Sequence, residues 1–133
     1  MPAARRSLLV LAVALGLALA TAVTPAGAAQ AQRVRTTISM KQWVLDHDSL
    51  TYKVPGTVRS PRAVCERGRT VKLVGPDVRR KTRSDKAGRW SVRIPARPTG
   101  GTYRAIAPRK KVRKKGRTII CARDSVVVVT AGA

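Results

Sequence analysis

From Arg109 to Arg117 the chain places seven cations in nine positions: Arg109, Lys110, Lys111, Arg113, Lys114, Lys115 and Arg117. Like charges this dense repel one another and cost stability unless a polyanion neutralises them. The chemistry they offer is therefore non-covalent, the release of condensed counterions on meeting a phosphate or another anionic polymer. The plainer reading of such a run is a solvated hairpin loop. Lys72, Arg93 and Arg104 fall on the polar phase of expected strands, and there they would extend the positive surface across the outer sheet. The excess belongs to the whole chain, with 28 basic residues against 6 acidic ones and a formal net charge of +22.

Covalent chemistry is thinly supplied. His47 is the one histidine, and with Asp46 and Asp48 it makes a triplet able to chelate a divalent cation on a turn. Such a triplet more often forms a solvated loop that offsets local positive charge, so no metal site is assigned. A Ser-His-Asp triad would have to use His47, and no Gly-x-Ser-x-Gly nucleophile motif accompanies it. The acids are scattered, nothing marks a cofactor or a small-molecule substrate, and the expectation is a non-enzyme. Cys65 and Cys121 are the only cysteines, which in an oxidising compartment reads as one disulfide. A metal held by the two thiolates is the competing reading, but neither has a second Cys or a His close by. With two Trp, two Tyr and no Phe, a stacking groove for single-stranded nucleic acid is poorly provided.

The elements that must carry these residues are strands. Helical periodicity is nearly absent after the first 30 residues. Short β-branched and aromatic runs separated by Gly, Pro and Asp point to an all-β domain. Strands are expected near Val34 to Met40, Trp43 to Leu45, Tyr52 to Arg59, Thr70 to Val74, Trp90 to Ile94, Thr102 to Ala107, Thr118 to Ala122 and Ser125 to Thr130. Alternation turns Val71, Leu73, Trp90, Val92, Ile94, Tyr103 and Ala105 inward and leaves Lys72, Arg93 and Arg104 in water. Trp43 and Tyr52 lack a clear phase. Val126 to Val129 is continuously apolar, as suits a strand covered on both faces or placed between two sheets. Asp85-Lys86-Ala87-Gly88 reads as a tight hairpin turn and Arg109 to Arg117 as a basic loop.

Ahead of the strands, Arg5 and Arg6 precede an apolar run from Leu8 to Val23, then Pro25 and the small residues Ala26, Gly27 and Ala28. That order predicts a secretory signal over residues 1–28, cleaved before Ala29, with Arg5-Arg6 leaving the Sec and twin-arginine routes both open. Residues 29–33 are then expected to form a loose arm, and 34–133 a single domain. The formal charge of +22 less Arg5 and Arg6 is +20.

Gly56-Thr57-Val58, Thr70-Val71-Lys72-Leu73, then Thr82 to Val92 through Asp85, Gly88 and Trp90, then Gly101-Thr102-Tyr103, follow one another in an order that resembles the transthyretin-like, carboxypeptidase-regulatory-like group of Ig-like β-sandwiches. The resemblance covers about Val54 to Thr130. It implies a Greek-key sandwich of about seven strands and a non-catalytic extracellular module. The chain departs from the pattern in lacking the Gly-aromatic pair after the Tyr strand and in adding the two cysteines. The reading that unites these points is a secreted or envelope-associated module contacting an anionic polymer, whether wall polymer, acidic polysaccharide or DNA, through the basic loop and sheet face. The alternatives are a secreted effector acting on membranes or nucleic acid of other cells, and a purely structural envelope protein. Nothing in the sequence speaks to oligomeric state.

Overall fold

The structure is a computed structural model that describes residues 30–131, so the expected leader over residues 1–28 lies outside the described residues. Eleven strands and one helical turn follow in chain order: β1 (Gln32–Val34), β2 (Thr37–Met40), β3 (Val44–Asp46), β4 (Thr51–Arg59), α1 (Ala63–Glu66), β5 (Thr70–Val74), β6 (Arg79–Arg83), β7 (Arg89–Pro95), β8 (Gly101–Ala107), β9 (Lys110–Lys114), β10 (Arg117–Cys121) and β11 (Asp124–Thr130). The fold is an all-β sandwich. One sheet runs β11-β8-β5-β6. In the other, β7 pairs with β4 along Thr51 to Thr57, so β2 and β3, which also pair with β4, must lie end to end along its opposite edge. A third, smaller sheet, β1-β10-β9, is joined to this body.

The core forms where the alternating apolar residues of the two large sheets meet. Val54, Val58, Trp90, Val92 and Ile94 come from one sheet, and Val71, Leu73, Tyr103, Ala105 and Ala107 from the other. The strand phase read for Trp90 and Tyr103 holds, and each ring lies against a glycine. A Cβ at Gly56 would overlap the Trp90 indole, and one at Gly75 would overlap the Tyr103 ring. Tyr103 carries its hydroxyl out of the core to donate to the Thr99 carbonyl at 2.7 Å. Trp43 is half-buried and packs edge-on against Tyr103, with ring centroids 5.0 Å apart. A second core holds Val34, Cys65, Ile119 and Cys121, with Val64 and Val112 against it. At its centre Cys65 and Cys121 form the expected disulfide, with their Cα atoms 5.4 Å apart.

Several expectations are corrected. The strand count is eleven among the described residues, not about seven. The run Arg109 to Arg117 is not a loop: β9 and β10 form an antiparallel hairpin closed by Lys115 and Gly116, both at positive φ, as a two-residue turn of the twisted kind requires. Val112, the lone apolar residue in that run, anchors it to the second core. The arm over 29–33 is also wrong, because Gln32 and Arg33 belong to β1, which pairs in parallel with β10. Val34 to Met40 is two strands in two sheets. β6 passed unrecognised because Arg79-Arg80-Lys81-Thr82-Arg83 has no apolar residue, and its pairing with β5 creates it. The turn Asp85 to Gly88 has the expected chemistry, Asp85 Oδ1 accepting from the Ala87 and Arg89 amides at 2.8 and 2.9 Å. It joins strands of different sheets, however, and is an arch rather than a hairpin. Finally, β11 is not covered on both faces. It lies at a sheet edge, with Val127 and Val129 45% and 75% exposed.

Candidate cationic interface

Cross-strand partners share a face and neighbours along a strand alternate. Ile119 and Cys121 point into the second core, so Lys110, Val112, Lys114 and Arg117, paired with them or in phase with them, share that face. Lys111 and Arg113 point the other way. The hairpin therefore divides its cations into two sets, and the inner set meets other cations.

Two hollows result. One, of about 360 Å³, opens where the start of β9 passes β5 and β6, and Lys72, Lys81, Arg83, Arg109 and Lys110 line it above the buried Arg69. The other, of about 610 Å³, lies between α1 and the hairpin tip. Arg62, Arg67, Lys114, Lys115 and Arg117 line it, with Val64 and Ile119 beneath. Lys110 lines the first hollow and donates from Nζ to the carbonyl of Arg67, which lines the second, at 3.3 Å. The two hollows are thus neighbours, and among the described residues no carboxylate lines either.

Arg69 holds this corner together. It is fully buried, with no carboxylate partner among the described residues. Its Nη1 donates to Thr36 Oγ1 and the Cys65 carbonyl, both at 3.0 Å. Its Nη2 donates to the Pro108 carbonyl at 2.8 Å and the Ala122 carbonyl at 3.0 Å. One planar guanidinium thus ties the β1–β2 link, the disulfide turn, and the segments before β9 and after β10 to the large sandwich. Ser84 works beside it, accepting from the Arg69 amide at 2.8 Å and donating to the Glu66 carbonyl. Burial lowers the Arg69 pKa from the ordinary arginine value, but a guanidinium stays charged in proteins. Burial, followed by the positive charges of Arg69, Arg83 and Arg67, pushes the Lys110 ammonium below the ordinary lysine range.

Five of the six acids are engaged elsewhere. Among the described residues the ion pairs are Arg93–Asp46 at 2.9 Å, Arg89–Asp85 at 3.3 Å and Arg59–Glu66 at 3.7 Å, and none includes a residue of Arg109 to Arg117. Asp124 accepts from the Ile38 amide and Asp77 from the Thr99 hydroxyl. Arg93 is accordingly removed from the expected positive face. It lies on the opposite sheet of the sandwich, in the grip of Asp46. Lys72 joins the hairpin cations. Arg104 shares the outer face with Lys72 but stands outside both hollows, opposite Val74 on β5 and Val127 on β11. The Asp46-His47-Asp48 triplet does not gather, since Asp46 Oδ1 caps its own turn through the Asp48 and Ser49 amides. Among the described residues no group of three metal-ligating side chains occurs. Lys81, Arg83, Arg62 and Arg67 were missed by the sequence reading. The all-cationic run of β6 was the available signal.

The paired aspartates make the pH response legible. Arg93 holds the Asp46 carboxyl well below the ordinary value of 3.8, and the Arg89 amide lowers Asp85. A depressed carboxylate stabilises fully above its unfolded value, and the contribution is lost as pH falls through the folded one. The melting temperature should therefore hold level from pH 8 to about 4 and drop below that. Asp46→Asn should soften the drop, and a decline already under way between pH 8 and 5 would contradict the assignment.

The chain matches no protein-family model, no curated protein and no solved structure.

Proposed function

We propose that this protein is an exported, non-catalytic β-sandwich module that holds an anionic polymer against the two neighbouring cation-lined hollows. The observation that carries the reading is the gathering of hairpin, α1, β5 and β6 cations around hollows with no acid among the described residues of their walls. That arrangement raises the energy of the free protein and is relieved by a multivalent anion. The leader pattern and the disulfide support an oxidising destination outside the cytoplasm. There the candidate polymers are phosphate-bearing wall polymer, acidic polysaccharide and released DNA.

Two variants of equal charge test it. Lys114→Gln with Arg117→Gln removes cations of the hollow face, and Lys111→Gln with Arg113→Gln removes cations of the other face. Affinity for a glycerol-phosphate polymer, polygalacturonate and a single-stranded oligonucleotide is measured across salt. The first pair should weaken binding clearly more than the second. For the oligonucleotide, the slope of log affinity against log salt should shrink by roughly 0.7 for each phosphate that the variant no longer neutralises. Equal behaviour of both pairs, or no binding by the parent at low salt, overturns the proposal. A second reading, association with an anionic lipid surface, is favoured by the exposed Val127 and Val129 beside Arg104 on the outer face. Binding to anionic vesicles that disappears on Val127→Ser with Val129→Ser, and survives the hairpin changes, would select it.

A further inference from the structure

The smaller hollow differs from a generally basic surface in three respects. Its cations come from three strands and the link before β9, with Lys72 on β5, Lys81 and Arg83 on β6, Arg109 in the link and Lys110 on β9, so they surround a volume rather than coat a plane. Lys72 and Lys81 are direct cross-strand partners, an arrangement of like charges that costs stability in the free protein. Beneath them lies Arg69, whose hydrogen bonds all go to neutral oxygens, so its full positive charge is left without a counter-ion in the interior.

We infer that this hollow is a discrete subsite for one phosphate group, with Arg83 and Lys110 as its principal direct donors and Arg69 as a fixed charge beneath. The inference rests on the polymer-binding reading and specifies the ligand chemistry of part of that surface. A phosphate group suits the site better than a carboxylate. It offers more acceptor oxygens to a guanidinium and several ammoniums arriving from different sides, and in a monoester it carries up to two negative charges. A hollow of about 360 Å³ also leaves room for the unit to which the phosphate is esterified.

Inorganic pyrophosphate is the probe, titrated calorimetrically into the mature protein, with a digalacturonate as the carboxylate comparison. The parent should bind one pyrophosphate per chain and prefer it to the carboxylate. Arg83→Gln with Lys110→Gln should lower that affinity at least about tenfold, since charge-assisted hydrogen bonds to the anion are removed. Lys111→Gln with Arg113→Gln, an equal loss of charge outside the hollow, should change it less than about threefold. If the first pair perturbs the fold by circular dichroism, Lys72→Gln with Lys81→Gln takes its place with the same expectation. Equal weakening by inner and outer pairs, or equal affinity for the carboxylate, overturns the subsite. Polymer binding that persists in the parent without any pyrophosphate binding overturns it too, while leaving the broader reading standing. Absence of binding to every anionic probe overturns both.

Discussion

Arg69→Met is expected to lower the unfolding free energy by about 3–5 kcal/mol, the largest effect of any single substitution proposed for this protein. Methionine fills much of the space but donates nothing. The Cys65 carbonyl and the Thr36 hydroxyl lose a partner in the interior, and the Pro108 and Ala122 carbonyls lose one in partly buried positions. Each buried acceptor left alone costs about 1–3 kcal/mol. Removing an uncompensated charge from the interior returns part of this, which holds the net below the sum of four broken bonds. Arg69→Lys should recover less than half of the loss, because three donors on one nitrogen cannot reach acceptors on four separate segments. Equilibrium denaturation measures the loss, and amide exchange should locate it in β1, β9 and β10 first. A methionine variant as stable as the parent would mean that these segments are held by apolar packing alone.

Removing the disulfide is expected to cost about 4 kcal/mol, the chain-entropy value for a closed loop of this length. Cys65 and Cys121 stand 56 positions apart and make up half of the four buried residues of the second core. Changing both to Ser therefore opens the unfolded chain and places two hydroxyls in a core whose other buried members, Val34 and Ile119, are apolar. The large core built around Trp90 and Tyr103 does not include them, so the expected outcome is selective. The small sheet should loosen, the hollow between α1 and the hairpin should lose its walls, and anion binding should weaken before the main sandwich melts. A double-Ser variant melting within about 2 °C of the parent would remove the bond from any account of stability.

The parts of this fold that were legible in the sequence are those where alternation and burial coincide. Thr70 to Val74 and the strand begun by Trp90 carry their inward phase openly, and the two cysteines have each other as sole partners. What escaped reading depends on partners distant in sequence. β6 is a strand only because β5 lies beside it, and Gln32 to Val34 only because β10 does. The four valines of β11 carry the same local signal in an edge strand as in a covered one. The cationic site was half visible. The hairpin charge was plain, but which of its residues face α1 depends on the phase set by Ile119 and Cys121, and the buried Arg69 looked like one more basic residue among 28.

The parallel pairing of β1 with β10 constrains how the chain reaches its native state. Gln32 finds its strand partner only at Ile119, and the Ile38 amide is satisfied by Asp124 at 2.8 Å. The amino-terminal edge of the protein thus cannot be completed until nearly all of the chain has emerged. Pairings closed over such separations are slow to form. The central strands β4, β5, β7 and β8 can assemble from nearer neighbours, whereas β1 has no strand partner until β10 is made. Until then its strand edge is unpaired, and the mutual repulsion of the chain's surplus cations opposes the pairing of one unfinished molecule with the next.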